Sequence, residues 1–195
     1  MTQPEEQSLI DRCKKGDIAS FDLLVRHYEK RVFNFAYRLS GNQADAEDVA
    51  QEAFIRVFNS IATFRGDANF STWVFKIVTN VYLDERKRSK AHQTVPLDEY
   101  IELEEDTVSR QIEDTGPTPD VIVQERERDQ ILQNAIQCLP EYQRAMVVLY
   151  HTQSKSYEEI AEIMNLPIGT VKSRLNRARL ALKEKLGPLR ELFEI

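Results

Sequence analysis

Ser156-Tyr157-Glu158-Glu159-Ile160-Ala161-Glu162-Ile163-Met164-Asn165-Leu166-Pro167-Ile168-Gly169-Thr170-Val171-Lys172-Ser173-Arg174-Leu175-Asn176-Arg177-Ala178-Arg179 is the stretch on which the reading of the chain turns. Ser156 and Glu159 stand three residues apart ahead of an apolar run. At that spacing a hydroxyl and a carboxylate can satisfy each other's backbone amides as a capping box. A short helix is therefore predicted from Tyr157, with Ile160, Ala161 and Met164 facing in. A turn follows at Asn165-Leu166-Pro167, and Asn165 occupies the place where a left-handed residue is wanted, a conformation asparagine tolerates. A longer helix then runs to about Leu186, with Ile168, Val171, Leu175, Ala178 and Leu182 facing in. This is the layout of a helix-turn-helix, whose second helix enters the major groove.

The wheel of that second helix sharpens the reading. With Val171, Leu175, Ala178 and Leu182 inward, Gly169, Ser173, Asn176, Arg177 and Leu180 point outward, flanked by Lys172, Arg174 and Arg179. Small residues at its start permit close approach, cations reach phosphates, and polar tips reach base edges. Lys183, Lys185 and Arg190 continue the basic run against Glu184 alone. A solvated amphipathic helix is the plainer alternative; the charge bias and the capped entry speak against it.

Upstream, a helix is predicted near Gln124 to Leu139, then Pro140 in the first turn of another that carries Ala145, Met146 and Leu149. The first segment reads as four helices. One spans about Glu5 to Lys15 and stops at Gly16. The next spans Ile18 to Ser40, with Phe21, Leu24, Tyr28, Val32, Phe35 and Leu39 at three- and four-residue steps, and stops at Gly41. A third covers Ala44 to Ser60 with Val49, Ala53 and Val57 inward. The fourth starts near Ser71, turns Trp73, Ile77 and Val81 inward, and ends in Arg86-Lys87-Arg88. Between the helical segments, residues 91–123 hold nine Asp and Glu residues against Arg110 alone and include Gly116-Pro117-Thr118-Pro119, the composition of an extended linker. The expected fold is all-α: two small helical domains, 1–90 and 124–195, joined by an acidic flexible linker at 91–123.

The net charge of −6 over 195 residues would argue against a nucleic-acid partner if it were evenly spread. It is segregated instead. Besides the basic helix, Phe64-Arg65-Gly66-Asp67-Ala68-Asn69-Phe70 is a turn-rich loop with aromatics at both ends. Trp73, Phe75, Lys76, Asn80 and Tyr82 follow it, so rings for stacking are interleaved with charge for a backbone and an amide for a base edge, as single-stranded bases require. At least one of Trp73 and Phe75 is expected in the core, and Arg88 is expected to neutralise Asp84. Asp45-Ala46-Glu47-Asp48-Val49-Ala50-Gln51-Glu52-Ala53-Phe54 crowds carboxylates on the outer face of one helix. With no histidine and no second carboxylate helix to complete a shell, a protein-docking surface is a better reading than a metal site.

Cys13 and Cys138 form no Cys-x-x-Cys and are read as ordinary helix-face thiols of a reducing cytoplasm. No stretch approaches the roughly 20 apolar residues of a membrane span, and the acidic N-terminus lacks an apolar signal core. No nucleophile–base pair or metal cluster suggests an enzyme, and neither a catalytic residue, a cofactor nor a small-molecule substrate is expected.

With these residues in view, the chain resembles the extracytoplasmic-function sigma factors of the sigma-70 superfamily, and the likeness covers nearly its whole length. Residues Asp45 to Phe54 look like that family's core-polymerase-binding helix. The resemblance implies that Asp45, Glu47, Asp48, Gln51, Glu52 and Phe54 dock on the clamp helices of the β′ subunit. The loop and helix from Phe64 to Asn80 are similar to the elements that read and open the −10 promoter element, implying roles for Phe64, Arg65, Phe70, Trp73, Lys76, Asn80, Arg86, Lys87 and Arg88. The helix-turn-helix resembles the −35-reading domain, implying contacts from Gly169, Thr170, Lys172, Ser173, Arg174, Asn176, Arg177 and Arg179. Asn176 stands where some relatives carry a larger side chain. The implied partners are core RNA polymerase, through its β′ clamp helices and β flap, promoter DNA, and a separate anti-sigma factor able to hold the protein at the inner membrane. The competing reading is a stand-alone helix-turn-helix regulator, which would need a dimer interface or ligand pocket in its first segment.

Overall fold

The computed structural model describes residues 1–92 and 119–188, with side chains placed at 1–91 and 127–188. Most of the expected acidic linker lies outside the described residues, as does Arg190. Every regular element described is helical: α1 (Gln3–Cys13), α2 (Ile18–Ser40), α3 (Gln43–Ser60), a one-turn 3-10 helix (Ile61–Thr63), α4 (Phe70–His92), α5 (Pro119–Gln137), α6 (Glu141–His151), α7 (Tyr157–Met164) and α8 (Ile168–Leu186). The first four helices form an N-terminal domain and the last four a C-terminal one. No described helix is long and apolar enough to cross a membrane.

The ends of these helices follow from local chemistry. Asp17 caps α2 by accepting from the Ser20 amide at 3.2 Å, and Asn42 caps α3 by accepting from the Asp45 amide at 2.8 Å. Gly41 closes α2 at φ +87°, the left-handed conformation that favours glycine. Ser156 and Glu159 form the expected capping box, with bonds of 3.2 and 2.9 Å, and Asn165 adopts φ 50°, ψ 50°. α5 begins at Pro119, five residues before the predicted start, because a proline at the first helical position forfeits no bond. Pro140 sits one step earlier than expected, as the residue preceding α6.

In the N-terminal domain, Leu24, Val32, Phe35 and Leu39 of α2 pack on Val49, Ala53 and Val57 of α3 and on Val74, Phe75, Val78 and Tyr82 of α4. Of the residues predicted inward on α4, Val81 is fully buried, while at the other two positions the neighbours Val74 and Val78 take the core. Phe75 is wholly buried and Trp73 and Ile77 only partly so, because α4 is covered on two sides and its core stripe is wider than a single face. In the C-terminal domain, Ile160, Met164, Val171, Leu175 and Ala178 are buried as expected, together with the unpredicted Ile163. Ile168 is 37% exposed and Ala161 half-buried, both against expectation: Ile168 opens α8 before that helix reaches the core. Cys13 is buried and Cys138 exposed. The apolar core runs without a break from one domain into the other.

Candidate nucleic-acid interface

α8 is fixed by its inner face and by one flank. Val171, Leu175 and Ala178 are fully buried, so Gly169, Ser173, Asn176 and Arg177 project to solvent as the wheel required, with Lys172 beside them. Leu180, 59% exposed, extends that face, while Thr170 and Arg174 are half-buried at its edges. Arg179 is the exception. Its guanidinium lies 4.5 Å from the Tyr150 ring centroid and donates to the Tyr157 hydroxyl at 3.3 Å, and the two tyrosine rings stack at 5.2 Å. The hydrogen bond from Arg179 is the main cause that lowers the Tyr157 pKa. Burial, then the Arg179 charge, lowers that of His151, so the imidazole is neutral at pH 7. Arg179 therefore anchors α8 to α6 and α7 and is set back from the projecting face.

The loop and α4 arrange their residues differently. Phe64 and Phe70 are buried, at ring distances of 5.2 and 5.6 Å from Trp73 and 5.3 Å from each other. The expectation that both are offered to bases fails in this conformation: they form the bed on which half-buried Trp73 lies. Arg65, Asn80, Lys87 and Arg88 are exposed and Lys76 half-buried. Arg86, expected on DNA, is drawn inward; it donates to the Ser40 carbonyl at 3.1 Å and to Asp45 at 3.3 Å, and its guanidinium covers the Tyr82 ring. Asp84 is neutralised by Arg56 of α3 at 3.2 Å rather than by Arg88. α3 and α4 lie side by side there, which brings Arg56 closer than a helical neighbour.

On the outer face of α3, Glu47, Asp48 and Gln51 are exposed and Asp45, Glu52 and Phe54 half-buried. Glu52 pairs with Arg56 at 2.8 Å. Glu85 of α4 joins this acidic face. Burial, followed by the charges of Asp45, Asp48 and Glu52, raises its pKa. Exposed Ile55 and Phe58 continue the face beyond Phe54, a continuation that the charge pattern alone did not flag. No group of His, Cys, Asp and Glu among the described residues is arranged to hold a metal ion.

Sequence reasoning passed over Arg144 and Lys155, both nearly inaccessible at 7% and 6% exposure. For Arg144 the signal was available: a cation abutting the apolar run Ala145-Met146-Val147-Val148-Leu149 has to find buried partners.

Residues 24–92 match the family model for sigma-70 region 2, and residues 129–182 that for sigma-70 region 4. The RNA polymerase sigma-H factor of Pseudomonas aeruginosa is 35% identical over 192 residues, 97% of each chain. The ECF RNA polymerase sigma factor SigW of Bacillus subtilis is 37% identical over 180 residues, 92% of this chain and 96% of that one. Among solved structures, the sigma factor RpoE of Bartonella quintana in complex with the anti-sigma factor NepR superposes with a TM-score of 0.64 at 27% identity, over 86% of this chain and 96% of that one.

Proposed function

The chain belongs to the extracytoplasmic-function family of RNA polymerase sigma factors, which direct transcription from particular promoters, and from that premise we propose how its surfaces divide the work. α8 reads the −35 element in the major groove. Arg177 and Asn176 reach base edges, Ser173 and Gly169 allow close approach, and Lys172 and Arg174 hold phosphates. Trp73 and Asn80 of α4 capture separated bases of the −10 element, by stacking and by an amide contact, while Arg65, Lys76, Lys87 and Arg88 follow the strand. The exposed carboxylates of α3, with Phe54, dock on core polymerase, whose partner surface must then be basic. The working compartment is the cytoplasm, and a separate anti-sigma protein, of the kind seen bound to the Bartonella relative, restrains it.

The observation that carries this reading is the projecting face of α8: small, amide and guanidinium groups in solvent over a fully buried inner stripe. Its test is run-off transcription with purified core enzyme and mapped transcript ends, repeated with the charge reversals Asp48→Lys and Glu52→Lys combined. The expected outcome is a specific start site with the wild type, and loss of both core binding and transcript with a variant that still folds. Specific transcription by the reversed variant would move the docking surface elsewhere. Tight, sequence-specific promoter footprints from the protein alone at physiological salt would favour a stand-alone regulator.

A further inference from the structure

We propose that the cleft between the C-terminal end of α4 and the start of α6 is a binding site for a small oxyanion, with a phosphate group as its ligand. The cleft measures about 240 Å³ and is lined by Arg86, Ser89 and Lys90 of α4, Gln137 of α5, and Glu141 and Arg144 of α6. Three cations, a hydroxyl and an amide thus share it with a single carboxylate. None of these residues is used in the proposed function.

The least exposed of them is Arg144, at 7%. Its guanidinium donates to the carbonyls of Leu39, Gln137 and Leu139, to Gln137 Oε1 and to the Tyr82 hydroxyl, at 2.5 to 3.1 Å. Every one of those acceptors is neutral, and Arg144 Nε, also buried, bonds to no group among the described residues. The cleft's one carboxylate, Glu141, is held by Lys90 instead, at 2.6 Å. A buried charge is unfavourable without a counter-charge. Here the guanidinium faces only oxygen dipoles, among them the Leu39 carbonyl at the negative end of α2.

The neighbours of Arg144 bear out the excess of positive charge. The Lys90 hydrogen bond first, then the backbone and the charges of Lys90 and Arg144, hold the Glu141 carboxyl below the ordinary glutamate range. Arg86 is shared between the Ser40 carbonyl and Asp45. Asp45 and Glu85 lie on the α3 side of it and line the adjoining cleft, not this one. Cations from both α4 and α6 therefore face the same space. A tetrahedral oxyanion presents an oxygen to each of them, where a planar carboxylate satisfies one donor pair. Lys90 can serve such a ligand only by exchanging Glu141 for it, so Glu141 is the built-in competitor. The two residues must then act on binding with opposite signs.

Isothermal titration of the full-length protein with inorganic phosphate, at an ionic strength kept constant with chloride, tests the site. Saturable binding of one phosphate per chain is expected. Lys90→Gln removes a donor and leaves the Glu141 charge unpaired in the cleft, so affinity should fall about tenfold, the worth of one bond to a charged group. Glu141→Gln removes the competitor and frees Lys90, so affinity should rise by a similar factor. Both side chains are solvent-accessible, and circular dichroism should show the wild-type helical signal in each variant. Adenosine monophosphate, titrated in parallel, separates two sources of the same chemistry. Equal affinity means that the phosphate group alone is recognised, and tighter binding means that the cleft takes it as part of a nucleotide. Absence of saturable phosphate binding by the wild type overturns the site. So does a pair of folded variants that bind as the wild type does, or that both bind more weakly.

Discussion

α8 and α4 combine similar chemistry, cations with an amide and small or aromatic groups, yet they hold it in different states. On α8 the groups we propose as base-reading, Ser173, Asn176 and Arg177, already project into solvent, and the flank is held by Arg179 on Tyr150 and Tyr157. On α4, Arg86 is held by Ser40 and Asp45, Phe64 and Phe70 are core, and Ser71 and Thr72 lie under the C-terminal domain. A duplex groove is a fixed shape, so a rigid projecting helix suits it. Separated bases exist only after melting, and a site for them can stay folded into the protein until then. Under the proposed function, the difference ties duplex reading to the resting state and strand capture to a rearranged one.

The first way to break this comparison is to separate structure from capture on α4. Phe75 is fully buried and meets Phe35 edge-to-face at 5.1 Å. Phe75→Ala should cost about 3–5 kcal/mol and lower the urea midpoint of the N-terminal domain. Trp73→Ala, at a half-buried ring, should cost less stability and instead suppress promoter opening, read as permanganate reactivity of unpaired thymines. Equal destabilisation with normal opening would make Trp73 a core residue and nothing more. Asn80→Ala, at an exposed position, should impair opening with no loss of stability.

The helices and the α8 face were legible in the sequence because they are governed by local rules: caps, three- and four-residue apolar steps, and left-handed residues at Gly41 and Asn165. α2 has the predicted bounds for that reason. The illegible part depended on neighbours distant in the chain. The outer faces of α3 and α4 exchange partners across the helix pair, so Asp84 finds Arg56 rather than Arg88, and Arg86 finds Asp45. Arg144 and Lys155 stand among residues that look like core and surface respectively, and their sockets come from the other domain. An aromatic beside a cation looks the same in sequence whether it awaits a base or packs inside, and only the fold shows Phe64 and Phe70 to be buried.

A second test sharpens the description of α8 as preorganised. Arg177→Ala should cost about 1–3 kcal/mol of discrimination at one promoter position, because a guanidinium that reads a base cannot be replaced by water alone. Lys185→Ala should weaken all sequences nearly equally and reduce the salt slope by about one, as expected of a phosphate contact. Holoenzyme binding to a promoter set at several salt concentrations separates the two. Unchanged preference in the Arg177 variant would mean the projecting face reads shape rather than sequence.

The smallest expected effect concerns the acidic border that α4 shares with α3 and that α8 lacks. Glu85, pushed up by burial and by the carboxylates of Asp45, Asp48 and Glu52, holds its proton more tightly in the folded protein than in the unfolded chain. Stability from this group is therefore full below the unfolded glutamate value, near 4.3, and falls as pH rises through the folded value. Glu85→Gln removes the ionisation, so the variant should be more stable than wild type at pH 8 by less than about 1 kcal/mol, solvent screening keeping the gain small. That advantage should fade toward pH 4.5, as followed by urea unfolding at several pH values. A basic polymerase surface placed against Asp48 and Glu52 would relieve the same repulsion and let Glu85 ionise. Core binding should then release a fraction of a proton at pH values just above the ordinary carboxylate range, detectable as a buffer-dependent binding enthalpy in the wild type and absent in Glu85→Gln. The same enthalpy in both proteins would place the docking cations away from this border, and the acidic flank of α4 would then belong to the fold alone.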